Sequence, residues 1–299
     1  MKRLLILSGK GGTGKTTTAA AFLRFSGTRA AADCDVDAPN LHLVAERRGT
    51  PIVSDFFGGE KAVVDLARCD GCGICQSRCR FDALTVENGR CRVNEYACEG
   101  CGVCAYVCPR EAIGLAPDVA GRKELYLEGG TFSTAALKMG RGNSGKLVTD
   151  VKMALLKHAP EETPLAIIDG SPGIGCPVIA SVSGMDLVLV VAEPSLSGIS
   201  DLKRLVETAR TFQARLAVCV NKWDVSPQHT QAIEAFCREA ELPFLGKIPY
   251  DKTAAQAIDQ GKSLADMECP ARDALWKIYQ ETIRLLQLDG PTISQTNRT

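Results

Sequence analysis

Between an apolar run at 3–8 and a helical pattern over 15–25 lies the sequence Gly9-Lys10-Gly11-Gly12-Thr13-Gly14-Lys15-Thr16. Its glycines allow backbone N–H groups to converge on phosphate oxygens, and the N-terminus of the following helix adds partial positive charge. Lys15 can reach the β and γ phosphates of a nucleotide, and the Thr16 hydroxyl can bind Mg²⁺. The order of strand, glycine loop and helix therefore predicts a phosphate-binding P-loop at the opening of an α/β domain.

Several later apolar runs end at polar residues. The run 29–32 leads into Asp33-Cys34-Asp35-Val36-Asp37, and the runs 165–168, 187–192 and 216–220 end before Asp169, Glu193 and Asn221. Because ligands of open parallel sheets bind at the carboxyl ends of the strands, we expect these polar residues to meet at one site. Amphipathic stretches at 201–212, 228–240 and 271–288 would cover the sheet. The predicted fold class is α/β, with a mostly parallel sheet flanked by helices.

Asp169 follows its apolar run directly, where an aspartate is a natural second anchor for Mg²⁺ and its waters. An aspartate at this place could instead cap the following helix. Thr16 and Asp169 are thus the candidate Mg²⁺ ligands.

Composition argues against two classes of partner. Lys+Arg and Asp+Glu number 35 each in 299 residues, so no basic field is available for nucleic acid or for an anionic membrane surface.

The apolar run at the start is too short for a signal peptide or a membrane span, and we expect a cytoplasmic protein. The helix over 271–288 has too weak a basic face to favour membrane binding, and the tail 289–299 is expected to be disordered.

An internal repeat with a period of 29 lies between residues 60 and 117. Cys69-Asp-Gly-Cys72-Gly-Ile-Cys75-Gln-Ser-Arg-Cys79 recurs as Cys98-Glu-Gly-Cys101-Gly-Val-Cys104-Ala-Tyr-Val-Cys108. A duplicated unit that carries its own cysteines indicates an inserted domain. We therefore predict an insert at 60–117 and a discontinuous body formed by 1–59 and 118–299.

The spacing Cys-x₂-Cys-x₂-Cys-x₃-Cys is the bacterial ferredoxin run, in which the fourth cysteine ligates the cluster of the other run. Two [4Fe–4S] clusters and a small α+β ferredoxin domain are therefore predicted. By position, one cluster takes Cys69, Cys72, Cys75 and Cys108, and the other takes Cys98, Cys101, Cys104 and Cys79. Structural zinc is the alternative, although it needs only four ligands from two Cys-x₂-Cys pairs. The first run departs from the pattern, because Arg80 stands where Pro109 follows the second run.

The stretch 9–17, which reads Gly-Lys-Gly-Gly-Thr-Gly-Lys-Thr and ends at Thr17, resembles the deviant Walker A motif of the MinD/ParA/Mrp and nitrogenase-iron-protein class. The resemblance extends to 33–40 and to 168–173, which look like the first and second switches. It implies that Lys10 reaches across a homodimer interface to the partner's phosphates and that Asp35 positions the attacking water. Lys10 could otherwise be a solvated loop lysine. With the cysteine-rich insert, the chain resembles MinD-superfamily ATPases that carry an inserted ferredoxin.

One sequence feature favours guanine over adenine. Asn221-Lys222-Trp223-Asp224 matches the Asn-Lys-x-Asp sequence with which GTPases bind guanine, whereas related ATPases place an asparagine here against adenine. The resemblance favours ATP over GTP. The expected catalytic residues are Lys10, Lys15 and Asp35. Nucleotide binding is expected for Gly9, Lys10, Gly11, Gly12, Thr13, Gly14, Lys15, Thr16, Thr17, Asp169 and Asn221.

Six cysteines lie outside the two runs, at Cys34, Cys91, Cys176, Cys219, Cys237 and Cys269. Most are expected to be ordinary buried residues. Cys176 follows Asp169 by seven residues, the offset at which the nitrogenase iron protein places a ligand of its subunit-bridging cluster. The matching second cysteine is absent near 140–145, so a buried structural thiol is the default expectation for Cys176.

The function predicted from these features is that of an ATP-binding and ATP-hydrolysing iron–sulfur protein. Nucleotide would switch a homodimer and so control electron transfer to an unidentified redox partner. Two alternatives remain: a cluster carrier or scaffold resembling the Mrp proteins, which would serve a cluster-acceptor protein, and a positioning ATPase resembling MinD with structural clusters.

Overall fold

A computed structural model describes residues 1–45 and 49–287 of the chain. Its internal contacts divide the chain into two units. The larger unit comprises Met1–Val53, Lys123–Ala136 and Ser144–Thr299, and the smaller unit comprises Ser54–Arg122 and Leu137–Asn143. The tail at 289–299, which we expect to be disordered, lies outside the described residues.

The described residues form strands and helices in an order typical of an α/β protein. The strands are β1 (Lys2–Leu7), β2 (Ala30–Asp33), β3 (Ile52–Val64), β4 (Leu84–Glu87), β5 (Arg90–Val93), β6 (Ile113–Tyr126), β7 (Thr131–Leu137), β8 (Leu165–Asp169), β9 (Leu187–Ala192), β10 (Leu216–Asn221) and β11 (Phe244–Ile248). The helices are α1 (Lys15–Ser26), α2 (Ile74–Arg78), α3 (Val103–Tyr106), α4 (Ser144–His158), α5 (Cys176–Val182), α6 (Leu196–Arg210), α7 (Pro227–Glu239), α8 (Thr253–Asp259) and α9 (Pro270–Leu286). None of these helices is long and apolar enough to cross a membrane.

The sheet of the larger unit follows the strand order β11-β10-β9-β1-β8-β2-β7. All six pairings in this order are parallel. The central strand β1 begins with Lys2 and Arg3 and is apolar from Leu4 to Leu7, and these four apolar residues are fully buried. A strand without polar alternation is expected where helices cover both faces of a parallel sheet. The predicted α/β class, with a mostly parallel sheet flanked by helices, is confirmed.

Helices α1 and α9 pack together through aromatic side chains. Phe22 lies edge-on to Tyr279 with ring centroids 5.1 Å apart, and Phe25 lies edge-on to Trp276 at 5.0 Å. Such pairs contribute about 0.5–1.5 kcal/mol beyond the burial of their surface. This packing fixes the axis of α1, the helix that follows the P-loop.

The predicted helix at 201–212 is wrong at its start. Helix α6 begins at Leu196, five residues earlier, because the Ser195 side chain accepts a hydrogen bond from Gly198 N at 3.1 Å and caps it. Helix α9 ends at Leu286, where Gln287 adopts the left-handed conformation. The sequence patterns did not identify β3, β4, β5, β6, β7, β11, α2, α3, α4, α5 or α8.

The smaller unit contains α2, α3, the antiparallel hairpin β4–β5 and most of β3 and β6. Its core is small and rich in cysteine, with buried Ala62, Cys75, Ala83, Leu84, Cys91, Cys98 and Ile113. Helices α2 and α3 each begin after a glycine in the left-handed region, Gly73 (φ 77°) and Gly102 (φ 78°). These glycines are 29 residues apart, so the sequence repeat is also a structural repeat.

Candidate functional site

The P-loop of the larger unit is held by hydrogen bonds from the end of β10. Asn221 Nδ2 donates to the carbonyl of Thr13 at 2.8 Å, and Lys222 Nζ donates to the carbonyl of Gly12 at 3.1 Å. Gly14 has φ 92°, and a Cβ atom there would lie 2.2 Å from Asn221 Nδ2. A glycine is therefore required at 14 both by conformation and by space.

Lys15 and Asp169 form a buried ion pair behind the loop, and the half-buried Thr16 contacts the same carboxylate. Lys15 Nζ lies 2.6 Å from Asp169 Oδ1, and the Thr16 hydroxyl donates to Asp169 Oδ2 at 2.7 Å. Lys15 is 5% exposed and Asp169 is fully buried. Burial opposes the charge of Lys15, but the neighbouring carboxylates outweigh it and hold the pKa of Lys15 above its ordinary value. A hydroxyl beside a carboxylate is an oxygen donor set that suits Mg²⁺.

Asp35 lies near the same lysine. Its Oδ2 is 3.7 Å from Lys15 Nζ, and burial raises the pKa of Asp35 above its ordinary value. The half-buried carboxylate lines the cavity that the P-loop borders. The structure thus brings Asp35 and Asp169 to one lysine, as expected for residues at the carboxyl ends of β2 and β8.

Asp33 is a site residue to which the sequence patterns gave no role. It is fully buried, and its two carboxylate oxygens accept hydrogen bonds from Asp35 N at 3.0 Å and Leu41 N at 2.9 Å. Burial, together with Asp169, raises the pKa of Asp33 to about 7. The carboxylate therefore fixes both ends of the segment that carries Asp35. Its place at the end of β2 was the available signal.

The two expected switch segments lie against the P-loop strand and each other. Ser171 donates a side-chain hydrogen bond to the carbonyl of Cys34, and Cys34 N donates to the carbonyl of Asp169 at 2.7 Å. Gly173 N donates to the carbonyl of Ser8 at 3.0 Å. Movement of either switch segment would therefore strain its hydrogen bonds to the other segment, and movement of the second would also strain the hydrogen bond to Ser8.

Lys10 contacts residues of its own chain. Its Nζ lies 3.5 Å from Glu193 Oε2, and 3.3 and 3.2 Å from the hydroxyls of Ser195 and Ser197. The side chain is about one-third exposed, and Lys10 also lines the P-loop cavity. Its ammonium group is therefore positioned by the turn between β9 and α6.

The P-loop borders a cavity of about 820 Å³, within the range of small-molecule sites. The P-loop residues that line it include Gly11, Gly12, Gly14, Lys15, Thr16 and Thr17, and Asn221, Lys222 and Tyr250 line its other side. Asp224 is exposed and is not among the lining residues, and its Oδ1 accepts a hydrogen bond from Tyr250 N at 2.7 Å. The Asn-Lys-x-Asp aspartate therefore serves a backbone contact in this conformation.

In the smaller unit, the eight repeat cysteines divide between two pockets. Cys69, Cys72, Cys75 and Cys108 line the first, and Cys79, Cys98, Cys101 and Cys104 line the second. Each pocket therefore gathers three cysteines of one run and the fourth of the other. Within the described part of the chain, no group of three or more His, Cys, Asp or Glu residues is placed to hold a metal ion.

Backbone N–H groups donate hydrogen bonds to sulfurs of the repeat cysteines. Cys108 Sγ accepts from Ala112 N at 3.3 Å, and Cys98 Sγ accepts from Ala62 N at 3.4 Å. A Cβ on Gly71 would lie 2.3 Å from the carbonyl oxygen of Gly89, so these two segments of backbone can approach only with glycine at 71. Iron–sulfur clusters are held by cysteine sulfurs that accept hydrogen bonds from nearby backbone N–H groups. The chemistry of these residues fits such groups.

The remaining cysteines differ in exposure. Cys34, Cys91, Cys219 and Cys237 are buried, as expected for most of this group, and Cys269 is partly buried. Cys176 is exposed, so the default expectation of a buried thiol is wrong. It is the first residue of α5, preceded by the glycine-rich loop 173–175, and this terminal position leaves its side chain open to solvent.

The fold and the phosphate loop define a nucleotide-binding protein of the P-loop class. The chain matches the CobQ/CobB/MinD/ParA nucleotide binding domain over residues 4–264 and belongs to that family. The MinD/ParA part of the resemblance stated from sequence is thus confirmed.

Individual relatives cover the chain to different extents. An uncharacterized protein of Methanocaldococcus jannaschii is 29% identical over 284 residues, which are 93% of this chain and 95% of the relative. An iron–sulfur cluster carrier protein of Methanococcus maripaludis is 24% identical over 139 residues, 42% of this chain and 48% of the relative. The septum site-determining protein MinD of Pyrococcus horikoshii, solved with Mg-ADP, has a TM-score of 0.57 at 16% identity and covers 95% of this chain and 96% of its own. At that identity the likeness shows the fold.

Proposed function

We propose that the chain is an ATPase whose nucleotide-switched homodimer controls electron transfer through two [4Fe–4S] clusters. The observation that carries this proposal is the division of eight thiols into two pockets, in the same two sets that the ferredoxin spacing predicts. In this proposal the smaller unit is the inserted ferredoxin domain. When bound, the clusters supply one-electron transfer.

The nucleotide is bound and hydrolysed by Lys15, Thr16, Asp169 and Asp35 at the P-loop. Lys15 and the loop N–H groups bind the phosphates, and Thr16 and Asp169 would hold Mg²⁺, which would neutralise charge on the phosphate oxygens. Lys15 is paired with Asp169 in this conformation, and turning toward a phosphate frees one oxygen of the Asp169 carboxylate, which would then be available to hold Mg²⁺. Asp35 then orients the water that attacks the γ-phosphorus, so that the bond to the β–γ bridging oxygen breaks and ADP and phosphate form.

The switch depends on Lys10 and on the segment that Asp33 anchors. Lys10 leaves Glu193 and reaches the phosphates bound by a second copy, so that triphosphate joins two chains. Loss of the γ-phosphate relaxes the segments that hold Asp35 and Ser171. Ser171 donates to the carbonyl of Cys34, and Asp35 N donates to Asp33. Because these hydrogen bonds link the two segments to each other and to the end of β2, hydrolysis changes the conformation of both segments.

ATP is the proposed nucleotide rather than GTP. Recognition of guanine by this sequence requires an aspartate that faces the base. Asp224 does not line the cavity, and its carboxylate accepts a hydrogen bond from Tyr250 N instead. Asn221 does line it, at the position where related ATPases place an asparagine against adenine.

A cluster carrier is the second candidate function. It is supported by the similarity to the iron–sulfur cluster carrier protein and by the exposure of one thiol of each set, Cys72 and Cys101. An exposed ligand gives an acceptor thiol a place to attack, whereas a permanent redox centre gains from enclosure.

Iron and sulfide analysis of the full chain, prepared anaerobically, tests the proposal. About eight iron and about eight sulfide per chain are expected from two four-iron clusters. Zinc without sulfide would refute the cluster assignment. A carrier is distinguished by incubation with a cluster-free ferredoxin and ATP: a redox module retains its iron, and a carrier loses about half or more of it to the acceptor.

A further inference from the structure

Cys91 lies outside both cysteine runs but inside the first of the two cysteine pockets. It belongs to strand β5, is 2% exposed, and lines the pocket with Cys69, Cys72, Cys75 and Cys108. Its sulfur is 3.5 Å from Cys75 Sγ, within hydrogen-bond distance for a thiol. The first pocket therefore contains a fifth thiol in addition to the four predicted ligands.

The backbone of the same residue contacts a second predicted ligand. Cys91 N donates a hydrogen bond to Cys69 Sγ at 3.4 Å. Strand β5 is held in place by its antiparallel partner β4, in which Val86 is opposite Cys91. The thiol thus faces the pocket from a fixed strand, not from a free loop.

The second pocket has a counterpart of Cys91, and it is an alanine. Ala62 N donates to Cys98 Sγ at 3.4 Å, as Cys91 N does to Cys69 Sγ. Positions 62 and 91 are separated by 29 residues, which is the period of the repeat. Ala62 is 6% exposed, so the two pockets present a methyl group and a thiol at equivalent buried positions.

Two neighbouring close approaches support this equivalence. A Cβ on Gly71 would lie 2.3 Å from the carbonyl oxygen of Gly89, and one on Gly100 would lie 2.1 Å from that of Glu60. Corresponding members of the two pairs are separated by the same period of 29, since Gly100 follows Gly71 and Gly89 follows Glu60 at that interval. Each repeat therefore supplies a strand that closes over the cysteine run of the other repeat.

We infer that the Cys91 thiol donates a hydrogen bond to the Cys75 thiolate and raises the reduction potential of the first cluster, an interaction that the second cluster lacks. The inference rests on the proposed function, in that both pockets hold [4Fe–4S] clusters.

The direction of the hydrogen bond follows from ligation. A cysteine that binds iron is a thiolate and can only accept, so the proton between the two sulfurs belongs to Cys91. The other acceptor near this thiol is the carbonyl of Arg92 at 3.8 Å. A charged acceptor forms the stronger hydrogen bond, which favours Cys75.

The direction of the potential shift follows from charge. Reduction adds one electron to the cluster and makes its sulfurs more negative, so a donor to sulfur stabilises the reduced form more than the oxidised form. Replacing the thiol by a methyl group removes that difference. Removal of the Cys91 donor therefore lowers the midpoint potential, and addition of a thiol at 62 raises that of the other cluster.

The test is a potentiometric titration of the anaerobic full-length protein, followed by electron paramagnetic resonance. Cys91→Ala should lower the midpoint of one cluster and leave the other unmoved, with iron and sulfide unchanged. Cys91→Ser retains an O–H donor and should recover part of the shift. Ala62→Cys is the matched gain-of-donor variant, and it should raise the midpoint of the other cluster.

Two results would overturn the inference while leaving the cluster assignment intact. One is a full iron and sulfide content in Cys91→Ala with both midpoints equal to those of wild type. The other is loss of about half the iron from Cys91→Ala together with an unmoved midpoint in Ala62→Cys, which would make Cys91 a ligand or a packing residue. Wild-type protein without iron and sulfide would instead overturn the proposed function, and this inference with it.

Discussion

Thr16 donates a hydrogen bond to Asp169 across 153 residues of sequence, at an oxygen-to-oxygen distance of 2.7 Å. The contact joins the first residues of α1 to the end of β8, and Lys15 adds a second link to the other carboxylate oxygen at 2.6 Å. One buried carboxylate therefore organises the phosphate lysine and the hydroxyl proposed for Mg²⁺. This arrangement makes Asp169 the most informative residue to change.

Asp169→Asn should lower stability and abolish the Mg²⁺ dependence of nucleotide binding. Removing one charge from a buried ion pair costs about 3–5 kcal/mol, because Lys15 then keeps only the longer contact with Asp35 at 3.7 Å. Urea unfolding and fluorescent-nucleotide titrations with and without Mg²⁺ measure both effects. Asp186→Asn is the matched control, because Asp186 pairs with Arg3 at a partly exposed site and should cost at most about 1 kcal/mol. Equal losses in the two variants would contradict the role given to Asp169.

Two glycines of the P-loop offer a matched comparison. Gly14→Ala should destabilise the protein by about 1–3 kcal/mol, because the left-handed conformation disfavours a side chain and the new Cβ would meet Asn221 Nδ2. Gly11→Ala should leave thermal stability near that of wild type, because a Cβ there meets nothing within 4 Å. Thermal unfolding without nucleotide checks both variants. A comparable loss in Gly11→Ala would show that the loop is sensitive to any side chain.

Strands β1, β2, β8, β9 and β10 of the central sheet could be predicted because they are apolar runs that end at polar residues. Strand β7 could not, because Thr131, Ser133 and Thr134 interrupt its apolar pattern although all three are buried. Hydroxyl groups can be buried when a partner is present, as for Thr131, which donates to the carbonyl of His158 at 2.7 Å. That partner is known only from the fold.

The same limit applies to the candidate sites. Lys15, Thr16 and the eight repeat cysteines were found because their chemistry is local in sequence. The role of Asp33 depends on where the backbone of Leu41 returns, and the contact of Cys91 with Cys75 depends on the register of a hairpin. Spacing alone carries neither piece of information.

Lys15→Ala should abolish tight triphosphate binding while the iron and sulfide content stays at the wild-type level. The phosphates lose their main cation, whereas the cysteine pockets belong to the other unit. Calorimetric nucleotide titration and metal analysis on one preparation measure both properties. Lys203→Ala serves as the control, since Lys203 lies over the Phe236 ring, outside the P-loop cavity. Iron loss in proportion to nucleotide loss would argue against two separate modules.

Lys10→Ala should depress ATP hydrolysis far more than nucleotide binding. A cation supplied in trans to the transferring phosphate can contribute about 10³–10⁵ in rate, whereas Lys15 already supplies the cation for binding. Glu193→Gln is a useful companion, because it weakens the contact that holds Lys10 in its own chain and should not slow hydrolysis. Steady-state phosphate release and nucleotide affinity separate the two effects. A parallel fall in affinity and rate for Lys10→Ala would place the lysine in its own chain's site.

Asp35→Ala should trap a triphosphate-bound dimer. The carboxylate is lost at a half-buried position 3.7 Å from Lys15 Nζ, while Lys15, Thr16 and Asp169 keep the phosphate and Mg²⁺ ligands in place. The variant should therefore bind ATP and associate but hydrolyse slowly, and size exclusion should show a dimer with ATP and Mg²⁺ but not with ADP. Asp37→Ala removes an exposed carboxylate from the same segment and should return to monomer as ATP is consumed. If wild type and Asp35→Ala both stay monomeric at saturating ATP, the dimer switch is wrong for this protein, and the P-loop must act within a single chain.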